Sequence, residues 1–547
     1  MSGTSTTGEA RSRSRHAAGP SGGRDRVRGA VLWAVGTAVA AVALFTCYLL
    51  QSRTISVGSD GASIALQAWD MLHGNPLLRG WWVADVSFYS TELPQYMLIE
   101  SVRGLSADVM HVGGAMTYTL LVLLAAFLAR GRARGRAGLV RAAVAGGIML
   151  APQLGNGIGT LVLSPDHAGT AVPVLLVLLL IDLAGRRWYV PVLVWLALAW
   201  VVVADELVIV IGAIPLAVVC AVRAYQGVVV RRAGWPVPTG IRGVRARWYE
   251  LSMAAAALAA IPTGLAGIAL IRAAGGWQLS PLQTRLVSGA VFAQNLRIGG
   301  QGLLELFGAD FFGAGSGVLV VFAVAHLVGV ALVVWGFCAA VRRFLRRDAI
   351  VESVLVTAIV FNVAAFLAIV PAVNLASIRE VAPVLPFAAV LAGRLLGERI
   401  LAARAGARLA LGLAVACYAA MLGYGAAQPA AAPQYADLTA WLSAHHLTSG
   451  VSGYSQANIV TAESHGAIGL RPVVADGRFL AAYKWEAKRA WYDPGSRRAN
   501  FLVLSTFGAY EVSAREAVAT FGRPAQTYRY REYTIMVWPE NLFAHLH

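Results

Sequence analysis

The run Ala30-Val-Leu-Trp-Ala-Val-Gly-Thr-Ala-Val-Ala-Ala-Val-Ala-Leu-Phe-Thr-Cys-Tyr-Leu-Leu50 carries no charge and follows Arg24, Arg26 and Arg28. As a helix it would reach roughly 30 Å, the thickness of a bilayer's hydrocarbon core. It is longer than the core of a signal peptide, and no small-residue cleavage site follows it. The run predicts a first transmembrane helix. Further runs long enough to span lie near 113–129, 138–155, 168–185, 188–204, 206–222, 251–271, 316–341, 349–371, 381–397 and 407–426. With the first, they predict about eleven spans.

Composition agrees. Of 547 residues 58% are hydrophobic and 13% charged, with a mean hydropathy of +0.63, against about 25% charged in soluble proteins. A chain this apolar cannot bury its surplus in soluble cores, which stop growing near 250–300 residues. That excludes a cytosolic enzyme, a disordered protein and a secreted disulfide scaffold. The net charge of +17 sits in short arginine clusters between apolar runs, so it reads as topology and not as a nucleic-acid surface. With the N-terminus inside, the cytoplasmic segments hold Arg130 to Arg141, Arg186, Arg187, Arg223 to Arg247, Arg342 to Arg347 and Arg394 to Arg408. The outer loops hold only Arg53, Arg79, Arg103, Arg272, Arg285, Arg297 and Arg379. The bias predicts a multi-pass plasma-membrane protein with a cytoplasmic N-terminus, and an odd span count puts the C-terminus outside. Cys47, Cys220, Cys338 and Cys417 have no ligand spacing and are expected to be small core residues.

The expected organisation is a mainly α polytopic fold with a small C-terminal α/β domain. Residues 1–28 read as a disordered cytoplasmic tail, and 29–427 as the transmembrane domain with long outside loops 51–112 and 273–315. After an Ala/Pro linker, 434–547 read as an extracytoplasmic α/β domain, long enough to fold alone. Within it, helices are expected at Thr439–His446 and Ala514–Phe521, and strands at Arg471–Ala475, Asn500–Ser505 and Tyr528–Trp538. The first loop should hold helices at Gly61–His73 and Gln95–Arg103. The second, apolar but broken by glycine, reads as re-entrant or interfacial.

Carboxylates near hydrocarbon are costly and are functional candidates. Asp60 lies in Val57-Gly-Ser-Asp-Gly-Ala, soon after the first helix, where it could instead cap the helix beginning at Gly61. Asp85 and Glu92 follow in Trp82-Val-Ala-Asp-Val-Ser-Phe-Tyr-Ser-Thr-Glu-Leu-Pro. Asp166 and His167 stand in Leu163-Ser-Pro-Asp-His-Ala-Gly-Thr, before the fourth span. Asp70 and Glu100 read as solvated helix faces.

These features resemble the membrane glycosyltransferases of the GT-C superfamily, which use polyprenyl-phosphate sugars. The resemblance rests on the first-loop carboxylate, on Thr91-Glu-Leu-Pro-Gln-Tyr before the second span, and on the acidic pair in the next outside loop. Ser377-Ile-Arg-Glu-Val-Ala-Pro-Val-Leu-Pro-Phe is similar to the Arg-Tyr and proline stretch that opens a late helix there. The pattern is related to the protein mannosyltransferase and aminoarabinose-transferase group. It departs from that group with Glu380 in place of the aromatic and Leu93-Pro94 in place of His-Pro-Pro.

The resemblance implies inverting transfer of a sugar from a polyprenyl-phosphate donor to a glycan, lipid or protein acceptor of the cell envelope. It makes Asp60 the general base, with Asp166 as a second catalytic candidate. Asp85, Glu92, His167, Arg379 and Glu380 are candidates for substrate binding. A guanidinium binds phosphate in two-point fashion, which suits Arg379 to the lipid phosphate; a salt bridge with Glu380 is its plainer role. Asp166 with His167 could orient the acceptor or hold a divalent cation such as Mg or Mn.

In Tyr483-Lys-Trp-Glu-Ala-Lys-Arg-Ala-Trp-Tyr-Asp, the residues Trp485, Trp491 and Tyr492 suit a carbohydrate surface, or alternatively a domain core. Membrane lipids are the remaining expected partner. The rival reading is a non-catalytic polyprenyl-lipid-binding protein or transporter, against which no paired inverted halves appear.

Overall fold

The computed structural model describes residues 21–163, 167–232, 241–280, 285–312, 317–344, 346, 349–369, 371–505 and 512–546. Residues 1–44 and 45–547 form two compact units. The described part of the first is helical, in the helix Ser21–Ser52 that ends in the second. Each predicted apolar run carries a helix. Seven described helices are long and apolar enough to cross a membrane: Val31–Ser52, Asp108–Arg130, Ile209–Gln226, Arg247–Ala273, Gly317–Arg342, Ile350–Ala368 and Ala405–Ala426. The pair Leu375–Val381 and Val384–Ala402, bent by 55°, makes an eighth if it counts as one broken span. The other runs give shorter helices, Gly135–Ile148, Ala171–Ala184 and Val190–Ala204. Fourteen or fifteen residues reach only about 21–23 Å, so these helices fall short of an untilted crossing.

Both long regions between the apolar runs, expected as outside loops, contain regular structure. The first holds the helices Ser59–Leu72 and Glu92–Arg103, and the second holds Gly289–Leu306. A small sheet joins them to the C-terminal region. Its middle strand Trp81–Val83 pairs in parallel with Gln278–Leu279 and antiparallel with Ala487–Lys488. These three stretches therefore lie together.

The C-terminal region is built on a six-stranded sheet in the order Phe479–Ala482, Gly469–Asp476, Ser449–Ser452, Phe501–Ser505, Tyr533–Val537, Gln526–Tyr530. The three inner pairings run parallel, parallel and antiparallel. The single final strand expected at Tyr528–Trp538 is a hairpin, because Arg531 takes a φ of 50° and reverses the chain. One hydrophobic cluster runs from Val57, Ile64 and Tyr96 of the first loop into Leu438, Val460, Leu470 and Phe501. The helix Tyr454–Glu463 lies against Ser59–Leu72 within it.

Two expectations about surface and core are corrected. Asp70 is no solvated face: Lys488 Nζ reaches its carboxylate at 2.8 Å, and Trp81 Nε1 and Asn75 Nδ2 donate to it. Glu100 is buried, and burial pushes its carboxyl up to about 9. Cys338 and Cys417 are exposed on apolar helices, and only Cys220 is buried. In a spanning helix the outer face meets lipid, so an apolar setting does not imply a core position.

Candidate active site

Asp60 sits in the first turn of the Ser59–Leu72 helix, whose N-cap is Gly58, with no side-chain capping bond. The capping role therefore falls away. Its carboxylate instead points at two partners distant in sequence. Tyr454 donates its hydroxyl to Asp60 Oδ1 at 2.6 Å, and Arg379 Nη1 lies 3.5 Å from Oδ2. Tyr454 is also hydrogen-bonded to the buried Glu486, and Ser59 Oγ donates to Tyr454 O at 2.5 Å. Burial, reinforced by the two carboxylates, pushes the Tyr454 hydroxyl well above its ordinary value, so it stays a donor.

Asp60 and Arg379 line one cavity of about 470 Å³, walled by Ile55, Val57, Met110, Asn156, Thr160, Leu163 and Leu375. Its floor includes a π-helical turn, Gly159–Leu163, a form frequent at functional sites. The turn can sit where it does because Gly114 has no side chain: a Cβ there would stand 1.7 Å from Val162 O. On the opposite wall Asn374 caps the short helix Leu375–Val381, accepting from Ala376 N at 3.0 Å, and so fixes the turn that carries Arg379.

A second centre is tied to the first through the adjacent residues Arg379 and Glu380. His167, buried with a φ of 55°, directs Nδ1 to Asp205 Oδ2 at 2.8 Å and Nε2 to Glu380 Oε2 at 3.0 Å. Burial alone disfavours the imidazolium, but the Asp205 and Glu380 carboxylates outweigh it and hold His167 well above the usual histidine range. Burial would likewise lift Asp205. The His167 charge and the bonds from His167, Thr170 and Leu207 N pull it below the ordinary carboxylate value instead. Asn362 Nδ2 donates to Glu380 O at 2.9 Å and steadies that turn. The adjacent residues Arg379 and Glu380 thus serve different centres.

Glu92 is buried beside this group, hydrogen-bonded to Thr91. Burial pushes its carboxyl up to about 7. Gly169 makes room for it, since a Cβ there would stand 1.8 Å from Glu92 Oε1. Asp85 is raised, chiefly by burial, and feels His167, Glu380 and Arg379 electrostatically. The loop bearing both acids is fastened to the end of the Val190–Ala204 helix: Ser87 N and Phe88 N donate to Ala204 O, and Ser90 Oγ to Trp200 O. Asp166 lies outside the described residues.

Sequence reading missed four acidic or phenolic groups here. Asp205 follows an apolar run and looked like a span boundary; the Asp205-Glu206 pair beside hydrocarbon was the available signal. Tyr454 and Glu486 had none. Glu305 is buried near the cavity, where Thr160 Oγ1 donates to its Oε1 at 3.4 Å, and burial followed by Asp310 pushes it up to about 7.

The aromatic stretch separates. Tyr492 is buried and donates to Pro472 O at 2.6 Å, so it belongs to the domain core and not to an acceptor surface. Trp491 packs edge-on against Trp81 at 4.9 Å and under Arg471 at 4.2 Å. Trp485 is half-buried.

Among the described residues no group of three or more His, Cys, Asp or Glu is arranged to hold a metal ion. Both ring nitrogens of His167 face carboxylates, those of Asp205 and Glu380, and its expected co-ligand Asp166 lies outside the described residues.

No family model and no curated protein matches the chain. Among solved structures it is similar to the Archaeoglobus fulgidus oligosaccharyltransferase in complex with Zn and sulfate, at 14% identity and TM-score 0.46, over 85% of this chain and 67% of that one. The apo form of the same protein is similar at 12% identity and TM-score 0.42, over 86% and 69%. At these values neither likeness assigns a residue, substrate or cofactor to this chain.

Proposed function

We propose that the chain is a membrane glycosyltransferase that moves a sugar from a polyprenyl-phosphate donor to an acceptor hydroxyl on the outer face. The observation that carries this reading is the half-exposed Asp60–Arg379 pair on one cavity, which the reading puts at the outer end of the helices. The N-terminus is then cytoplasmic and the C-terminal domain extracytoplasmic, as the arginine bias requires.

In the proposed reaction Arg379 takes the donor phosphate in two-point contact, which releases the Asp60 carboxylate from its ion pair. Asp60 accepts the proton of the acceptor hydroxyl. The acceptor oxygen forms a bond to the anomeric carbon as the bond from that carbon to the phosphate oxygen breaks. The electron pair leaves with polyprenyl phosphate, where Arg379 stabilises the charge. A single displacement inverts the anomeric centre. Asp85 is assigned to holding the acceptor, with Asp166 as a further candidate there, and Glu92 with the His167–Glu380 group is assigned to holding the loop ends that frame the cavity.

The test is transfer by the purified chain in liposomes, supplied with polyprenyl-phosphate sugars and a mixed acceptor pool. Product that disappears in Asp60→Asn while donor still binds supports the reading. Donor bound or moved across the bilayer without any turnover overturns it in favour of a lipid-binding protein or transporter.

A further inference from the structure

A second cavity, of about 410 Å³, is lined by Trp335, Cys338, Ala339, Arg342, Arg343, Arg346 and Arg399. It lies where two helices end, Gly317–Arg342 and Val384–Ala402. Arg379 precedes the start of the second of these helices and Arg399 closes its last turn. About 28 Å of helix separates the two ends, so this cavity and the Asp60 cavity lie toward opposite ends of the same helical unit.

Among the described residues the charge here is uncompensated. All four arginines are exposed, and no described carboxylate lines the cavity. The described acids on neighbouring helices are engaged elsewhere: Glu398 with Arg141, Glu250 with Arg186 and Arg223, and Glu352 and Asp182 with Arg394. Helix C-termini offset some of this charge, but each carries only about half a negative charge. Four guanidinium groups in one hollow therefore repel one another until an anion joins them.

The rest of the lining is apolar and lies about one to two turns earlier on the helix that ends at Arg342. Trp335 and Cys338 face outward on a helix whose neighbouring Val334 and Val341 are exposed as well. The Arg399 guanidinium stands 5.7 Å from the Trp335 ring centroid, a cation–π contact between the charged and apolar parts of the lining.

We propose that this cavity binds the phosphate headgroup of an anionic membrane phospholipid, with guanidinium groups on the phosphate and the acyl chains along Trp335 and the exposed valines. Basic pockets between membrane helices take such headgroups, and arginine suits a phosphate diester better than lysine does. A water-soluble phosphate would use the charged part of the lining but leave the apolar part without a partner. The site is independent of the sugar-transfer reading.

The test uses the full chain in mild detergent, with phosphatidylglycerol, phosphatidylcholine and inorganic phosphate as probes and native mass spectrometry as the readout. Phosphatidylglycerol should stay bound in preference to phosphatidylcholine. The variant R342Q/R346Q/R399Q should lose on the order of 10²-fold in affinity for it, at roughly a factor of five per basic side chain. Equal retention of both lipids, an unchanged affinity in the variant, or inorganic phosphate bound as tightly as the lipid would each overturn the proposal.

Removing three arginines can disturb insertion, so a second measurement uses the unaltered protein. A photoactivatable phosphatidylglycerol should label the stretch from Trp335 to Arg346 or the neighbourhood of Arg399. Labelling spread evenly over all lipid-facing helices would refute the site.

Discussion

The Asp60 and His167 centres each set carboxylate against a cation, guanidinium in one and imidazolium in the other, and they differ in how much water reaches them. The Asp60 and Arg379 side chains are 44% and 39% exposed, whereas those of His167 and Asp205 are 9% and 3% exposed. An ion pair half in water contributes little, typically under about 1 kcal/mol, so a substrate phosphate can exchange with it at small cost. A buried and mutually satisfied group cannot be exchanged that way, because opening it leaves charges unpaired in a poor solvent. The open centre is suited to chemistry, and the closed one to holding the loop ends that frame it. Each experiment below either breaks this contrast or sharpens it.

The largest effect is expected at the open centre. Asp60→Asn keeps the size and still accepts the Tyr454 hydroxyl, but it cannot take a proton. Transfer should fall on the order of 10²–10⁴-fold, while stability changes by no more than about 1 kcal/mol. Transfer assays in lipid beside thermal melting give both numbers. Full activity would remove Asp60 from the mechanism and make Asp85 or Asp166 the next candidate.

The closed centre should respond the other way. Asp205→Asn leaves His167 buried with one carboxylate, and breaking such a pair costs about 3–5 kcal/mol, seen as a lower melting point even without substrate. The pH response follows from the direction of each shift. His167 holds its proton more tightly folded than unfolded, so its stabilisation is complete below about pH 6.5 and fades as pH rises through the folded value. Asp205 is depressed, so its share is present above about pH 4 and is lost as pH falls through its folded value. Glu92, raised to about 7, destabilises progressively between about pH 4.5 and 7. Melting points should therefore fall at both ends of the range, and His167→Gln should flatten the alkaline side. An alkaline side unchanged in that variant would mean that His167 is not the group held protonated.

A third experiment separates the adjacent residues Arg379 and Glu380. Arg379→Ala should weaken donor binding by about 10- to 100-fold, as expected for losing charge-assisted hydrogen bonds, and leave the melting point nearly unchanged. Lysine should restore only part, since it keeps the charge and loses the two-point geometry. A melting point lowered as far as in Asp205→Asn would place Arg379 in the closed centre.

What the sequence made legible follows from the range of the physics involved. The apolar runs, the outer-loop helices and the helix at Ala514–Phe521 are set by local periodicity and capping, and Ser513 with Glu516 forms a capping box at that last helix. Asp60 and Arg379 could be picked out because a charge beside hydrocarbon is conspicuous wherever the chain later puts it. Their pairing could not, since it depends on how the bent helix pair meets the first loop. Asp205 was masked by the apolar run before it. The run at 138–155 looked like one span, yet its helix stops at Ile148 ahead of Pro152, where the ring denies the chain a helical hydrogen bond. Tyr492 was misread because an aromatic stretch has the same composition whether it faces sugar or core.

The smallest effect on transfer is expected at Tyr454, which reaches Asp60 across 394 residues of sequence. Its hydroxyl lies between Asp60 and the buried Glu486, whose own backbone is held in the left-handed region at a φ of 48°. Ser63 Oγ and Asn458 Nδ2 both donate to Glu486 O and keep it there. Tyr454 touches no reacting atom in the proposed reaction; it positions the carboxylate that does. Tyr454→Phe should therefore slow transfer by about threefold to tenfold, within the roughly 1 kcal/mol of one hydrogen bond, and should act on kcat with KM for the donor unchanged. A structural role alone would lower the melting point and leave kcat intact once the protein is folded. If kcat in the Phe variant equals that of the parent below its melting transition, the C-terminal domain covers the open centre without taking part in it.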